Sequence, residues 1–314
     1  MLAAFAGGVT LLAAAACGSS PTGAAGGGSG AGDRPKVLAA FYPLEWVTQR
    51  VGGPDVELST LTSPGVEPHD LELTPRQIAE IEQADLIVYL KGVQPAVDEA
   101  VAEHAADRSF DVATAVTTLP AAEADPHGHE EEGGGHGEEG HEDVGYDPHL
   151  WLDPSRFAAV ATKLGDRLAE AGAAHADGFR SRAAATAKEL TDLDKEMSDG
   201  LANCARRTVV TSHAAFGYLA DRYKLKQVGI SGIDPESEPS PARLAEVAKV
   251  AKAEKVTTIF TEELVNPKVA EVLATEVGAK TAVLNPIESR PATGDYLSAT
   301  RENLAHLRTA LGCS

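Results

Sequence analysis

Three histidines of this chain stand where a strand-like run gives way to a turn. His69 lies in Ser-Pro-Gly-Val-Glu-Pro-His-Asp, directly after an apolar run, and His149 lies in Tyr-Asp-Pro-His-Leu-Trp-Leu-Asp-Pro, where two Asp-Pro pairs make a rigid turn. His213 follows the strand-like residues 208–212 at their carboxyl end, the place where open α/β sheets hold ligands. A single histidine of this kind reads as a satisfied polar residue or a helix-cap contact. Three in one local context, drawn from both halves of the chain, point to a metal centre built from imidazoles.

A second concentration of metal-ligating types is the low-complexity run from Asp125 to Asp143, in which His127, His129, His136 and His141 alternate with Glu and Gly. Such a run cannot build a core, and its composition attracts cations. It falls in an interval without any Lys or Arg between Arg108 and Arg156, inside a chain of formal net charge -20. That balance excludes a phosphate-binding surface, so nucleic acid is not an expected partner. Among catalytic alternatives, no His-Glu-x-x-His pair and no Gly-x-Ser-x-Gly elbow occurs.

The elements that must position these residues follow a βαβ rhythm. Val37–Phe41 and Val56–Leu61 read as strands around an amphipathic stretch at Glu45–Val51. Thr74-Pro75 opens a helix that returns as the buried strand Leu86–Tyr89, and Val97–His104 is the next helix. The second half repeats the order: strand 209–211, helix 214–223, a helix capped by Ser240-Pro241 and reaching about Glu254, strand 256–260, a helix from Asn266-Pro267 to Gly278, strand 281–284 and a closing helix 294–311. Between them residues 155–201 read as helix with a break near Gly172. The expected fold is α/β: an N-terminal lobe over 34–154, a linking helical region over 155–203 and a similar C-terminal lobe over 204–314. A long, stiff helix would then join the lobes, with the metal site in the cleft between them.

The first 17 residues are apolar, small and too short to span a bilayer, as in a secretory signal peptide. Ala-Ala-Ala-Cys followed by Gly-Ser-Ser resembles a lipoprotein processing site that would acylate Cys17, and residues 18–33 read as a Gly/Ser-rich tether. No basic residue precedes the apolar run, which would place the start codon upstream of Met1. The expected location is extracytoplasmic, at the outer face of the cell membrane. Cys204 and Cys313 then remain as an even pair in an oxidising compartment, able to form a disulfide if their backbones approach.

The three histidine segments resemble the metal-binding motifs of the zinc- and manganese-binding solute-binding proteins of ABC importers, a family that includes adhesin-like lipoproteins. Asp-Pro-His-Leu-Trp-Leu-Asp-Pro carries the resemblance best. Glu-Pro-His, Thr-Ser-His-Ala-Ala-Phe-Gly-Tyr, Glu-Ser-Glu-Pro-Ser-Pro and the tail around Tyr296 and Asn303 support it. The resemblance implies one metal held between two lobes, a permease as partner, a monomeric protein and no catalysis. It places His213 where other members carry a carboxylate, which favours Zn²⁺, since Mn²⁺ prefers more oxygen ligands. For the fourth ligand it points to Glu288, while Asn285 stands where some members have Asp, so Glu67, Asp70 or a water compete. Glu262 reads either as an acceptor that orients a ligand histidine or as a solvated acid at a helix start. It also implies that the His-rich run collects zinc. Three competing functions stay open here: manganese import, a surface adhesin with structural zinc, and a zinc hydrolase. Because ligation needs neutral imidazoles, affinity is expected to fall as pH drops through the histidine range near 6.5.

Overall fold

The computed structural model describes residues 34–121 and 144–314. The signal peptide with Cys17, the tether, and the run carrying His127, His129, His136 and His141 lie outside the described residues.

Two four-stranded parallel sheets form the scaffold. In the first, β1 (Lys36–Ala39), β2 (Glu57–Thr60), β3 (Leu86–Tyr89) and β4 (Ser109–Asp111) take the order β2-β1-β3-β4. In the second, β5 (Thr208–Thr211), β6 (Lys226–Gly229), β7 (Thr258–Thr261) and β8 (Lys280–Val283) take the order β6-β5-β7-β8. The lobes are therefore topological copies. The central strands β1, β3, β5 and β7 are buried and apolar, as a parallel sheet covered on both faces requires.

The first lobe carries α1 (Tyr42–Gly52), α2 (Pro75–Gln83) and α3 (Pro95–His104), and the second α6 (Gly217–Tyr223), α7 (Pro241–Ala253), α8 (Lys268–Val277) and α9 (Tyr296–Leu311). Helix starts follow the punctuation in the sequence. Thr74 and Gln77 form a capping box ahead of Pro75, Ser240 accepts from the Arg243 N–H ahead of Pro241, and Asp295 caps α9.

Between the sheets run α4 (Pro154–Ala171) and α5 (Ala176–Leu201), which pack along each other after the break at Gly172. Gly165 allows their close approach, because a Cβ there would lie 2.5 Å from the Ala183 Cβ. At about 1.5 Å per residue, the 26 residues of α5 reach roughly 39 Å. It is fastened to both lobes. Arg182 donates to the Val51 and Gly52 carbonyls and to Asp55 (2.8, 2.7 and 2.8 Å), while Asp194 receives Arg222 through two bonds of 2.8 and 2.6 Å and the Tyr223 hydroxyl at 3.1 Å.

Cys204 and Cys313 are joined in a disulfide. It ties the end of α9 to the chain just before β5, beside the Arg206 N–H bond to the Leu311 carbonyl. That is the amino end of the second sheet, opposite its carboxyl ends. No described helix is long and apolar enough to cross a membrane.

The structure departs from the sequence reading at several points. Strands β4 and β6 are additional. Helix α6 starts at Gly217 and not at 214, because the Ala214 N–H is turned onto the Gly232 carbonyl at 2.8 Å. Strand β7 starts at Thr258 and not at 256, since the Val256 N–H closes α7 on the Ala251 carbonyl at 2.9 Å. Strand β8 ends one residue early, at Val283. Helix α9 starts at Tyr296, with Gly294 outside its Asp295 cap.

Candidate metal centre

His69 follows β2, His149 follows β4 and the intervening segment, His213 follows β5, and Glu288 follows β8. His69, His213 and Glu288 lie in the segments that leave the carboxyl ends of β2, β5 and β8, and His149 stands at the turn before α4. Their Nε2, Nε2, Nε2 and Oε1 atoms converge on one point, and one donor atom of each lies within 4.8 Å of every other. His149 and His213 are 0% exposed, Glu288 is 2%, and the His69 side chain is 8%.

The spacing is informative. Glu288 Oε1 lies 3.5 Å from His69 Nε2, 3.5 Å from His149 Nε2 and 3.6 Å from His213 Nε2. These separations are too long for good hydrogen bonds, and each of the four atoms is buried without a hydrogen-bond partner. Buried polar atoms without partners are rare because each loses its hydration for nothing. With bonds of about 2.0 to 2.1 Å, however, adjacent ligands of a tetrahedral zinc ion lie about 3.3 to 3.4 Å apart. The three separations between the carboxylate oxygen and the imidazole nitrogens are close to that spacing.

The opposite ring nitrogens are fixed by carboxylates. Asp147 Oδ1 accepts from both the His149 backbone N–H (2.9 Å) and its Nδ1 (2.8 Å). Glu262 divides the same task between two oxygens, Oε1 taking the His213 N–H (3.1 Å) and Oε2 its Nδ1 (2.7 Å). With Nδ1 carrying the proton, Nε2 presents its lone pair to the centre. Glu262 is therefore buried and bonded to the ring, not a solvated helix-start acid. The signal for Asp147 in the sequence is local: an acid two residues before a histidine is the pattern of such a turn.

Charge in the cluster is redistributed by this geometry. Burial opposes the His213 imidazolium, but Glu262 and Glu288 outweigh it and push its pKa up to about 10. His149 is also raised, with burial overcome by Asp147 and Glu288. Glu288 goes the other way: burial is overcome by the three surrounding imidazoles, which hold the carboxyl well below its usual range.

The sequence matches the family described as zinc-uptake complex component A, periplasmic (ZnuA), over residues 37–310. The chain belongs to this family. It is 36% identical over 285 residues to zinc-binding protein AdcA of Streptococcus pyogenes serotype M3, covering 87% of this chain and 55% of that protein. It is 32% identical over 310 residues to the high-affinity zinc uptake system protein ZnuA of Bacillus subtilis, covering 96% of this chain and 94% of that protein. The chain thus spans about half the length of the AdcA proteins it matches. Among solved structures, Zn(II)-bound AdcA from Streptococcus pneumoniae superposes with TM-score 0.71 at 32% identity, over 88% of this chain and 58% of the other. The laminin-binding protein Lmb of Streptococcus agalactiae, described as having adhesin and metal-transporting activity, gives 0.76 at 32% identity over 88% and 99%.

The other candidates for the fourth position in the family pattern sit elsewhere. Asp70 is exposed. Asn285 braces its own loop, accepting from the Ile287 N–H at 2.7 Å, exchanging two hydrogen bonds with Asn303 and donating to Glu263. Glu67 comes nearer: Oε1 accepts from the His69 N–H at 3.3 Å and Oε2 is buried without a partner. Burial and the neighbouring Glu288 raise its pKa to about 8. Glu288 itself is aimed by the Trp151 indole N–H, which donates to the Pro286 carbonyl at 2.7 Å, and by Ile287 in the left-handed region at φ 60°. A β-branched residue seldom adopts that conformation, and here its side chain is fully buried.

Proposed function

We propose that His69, His149, His213 and Glu288 hold one Zn²⁺ as cargo, and that the protein captures zinc outside the cytoplasm for delivery to the permease of an ABC importer. The observation that carries this reading is the set of four buried, partnerless donor atoms within 4.8 Å of one another, with the carboxylate oxygen 3.5 to 3.6 Å from each imidazole nitrogen. Three imidazoles and one carboxylate suit zinc, whereas manganese favours sites richer in oxygen. Belonging to the zinc-uptake family agrees with this.

Binding and release, without turnover, follow from the donor set, since four protein ligands leave no position for an activated water. The cavity beside Glu288 measures about 10 Å³, room for about one water and not for a peptide or ester. Cys17 would anchor a monomer to the outer face of the membrane through lipid. The run bearing His127, His129, His136 and His141 would collect zinc at weaker sites.

Isothermal titration of metal-stripped protein lacking residues 1 to 32 with Zn²⁺ and with Mn²⁺, beside the His149→Ala variant, tests the reading. The expected result is one tight zinc event, lost in the variant and followed by weaker ones. Equally tight manganese binding, or a tight event that survives in His149→Ala, would overturn it.

A further inference from the structure

Glu288 is followed at once by two residues that reach across to the first lobe. Ser289 Oγ accepts from the Gly65 N–H at 2.7 Å. Gly65 belongs to the turn Ser63-Pro64-Gly65-Val66, closed by the Val66 N–H on the Ser63 carbonyl, and its φ of 81° is the value that turns with Gly at the third position require. His69 lies four residues further on. Arg290 forms an ion pair with Glu45 of α1, and its guanidinium carbon sits 5.6 Å from the Tyr42 ring centroid. Trp46 donates from its indole N–H to Asp295 Oδ2 at 3.2 Å. Tyr42, Glu45 and Trp46, spaced i, i+3 and i+4, therefore form one face of α1 that meets the chain between β8 and α9.

We propose that Ser289 and Arg290, with Gly65 and Glu45 opposite, form an interlobe latch that sets how long the cargo metal remains bound. Parting the lobes carries Glu288 away from His69 and His149, and the same movement must break both the Ser289–Gly65 bond and the Arg290–Glu45 pair. Residues that never touch the metal thereby contribute to the barrier for its release. The Arg290 side chain is 53% exposed and that of Glu45 21%, so the pair is solvated enough to be responsive to salt and weak enough to open.

The latch rests on the zinc reading, and its test separates the two. Zinc-loaded wild type, Arg290→Ala, Glu45→Ala, the double variant and Ser289→Ala are mixed with excess chromophoric chelator in a stopped-flow instrument. Equilibrium dialysis counts the tight zinc in each. Each single variant should keep one tight zinc and release it roughly two- to five-fold faster. The double Glu45/Arg290 variant should be no faster than the faster single, and the exchanged pair Glu45→Arg with Arg290→Glu should recover slow release. Added salt should speed the wild type more than Arg290→Ala, which a purely structural role would not produce. If zinc is retained while the single variants release it at the wild-type rate, or the Glu45 and Arg290 effects multiply, the latch is wrong and the zinc site stands. If the wild type holds no tight zinc, the site assignment fails and the latch falls with it.

Discussion

Lowering the pH should empty the metal centre. In the metal-free centre His213 is pushed up to about 10, with burial opposed and outweighed by Glu262 and Glu288, and His149 is raised by Asp147 and Glu288 against its own burial. Glu288 is already ionised, held low against its burial by the three imidazoles. A zinc ion needs the Nε2 lone pairs, so binding near neutrality expels one proton from His213, up to one more from His149 and none from Glu288. Each displaced proton changes the logarithm of the apparent affinity by about one per pH unit. Between pH 8 and pH 6 the affinity should therefore fall at least about 100-fold, and about 10⁴-fold if both imidazoles contribute in full. The window lies above the range near 6.5 expected from unperturbed histidine, because the carboxylates stabilise the imidazolium.

Competition titrations against a chelator across this range give the slope. Calorimetry at a single pH in buffers of different ionisation enthalpy gives the proton count. An affinity flat from pH 8 to 6 with no buffer dependence would refute the argument. The same shifts act on stability. The raised pKa of His213 stabilises the metal-free protein in full below about 6.5, and that contribution disappears as pH rises through about 10. The depressed pKa of Glu288 acts above its ordinary value and is lost as pH falls. Melting temperatures of metal-free and zinc-loaded protein should hence diverge from pH 7 toward pH 10.

Replacing the carboxylates behind the rings should have unequal effects. Glu262→Gln cannot accept at both oxygens and should lower zinc affinity about 10- to 100-fold, whereas Asp147→Asn keeps both bonds through one oxygen and should lose less, as chelator competition would show. Gly217→Ala would place a Cβ 2.3 Å from Asp147 Oδ2 in a buried site, so zinc affinity should drop roughly tenfold although no ligand is altered. Titration of this variant at the wild-type affinity would show that Asp147 can move freely. Cys313→Ser opens a link between residues 109 apart, for which chain entropy gives about 4 to 5 kcal/mol, so thermal melting should fall by roughly 10 °C. One tight zinc should remain, because the disulfide lies at the amino end of β5 and the metal centre at the carboxyl end.

Why some of this could be read from the chain and some not comes down to where the relevant information resides. The three histidines are legible from their own neighbours, His69 and His149 from Pro-containing turns and His213 from the buried strand it follows, and the repetition of strand, Pro-capped helix and strand exposes the two copies: α2–β3 and α7–β7 occupy equivalent positions in their sheets. Strands β4 (Ser-Phe-Asp) and β6 (Lys-Gln-Val-Gly) are not legible because each is a short edge strand with a single large apolar residue, Phe110 or Val228, too few to show a strand period, whereas the edge strand β2 lies in the alternating run Val56-Glu-Leu-Ser-Thr-Leu61. The role of Glu262 was hidden for a related reason. It lies 49 residues from His213, a separation that means nothing along the chain, yet β5 pairs with β7 so that Val210 faces Ile259 and Thr211 faces Phe260. Both pairs differ by 49, so extending that register by two residues brings Glu262 level with His213. A ligand is thus announced by its own neighbours, whereas the group that orients it is announced only by the pairing of strands. The search for such groups should begin from sheet register, stepping from each strand-end histidine to the residue beside it on the adjacent strand.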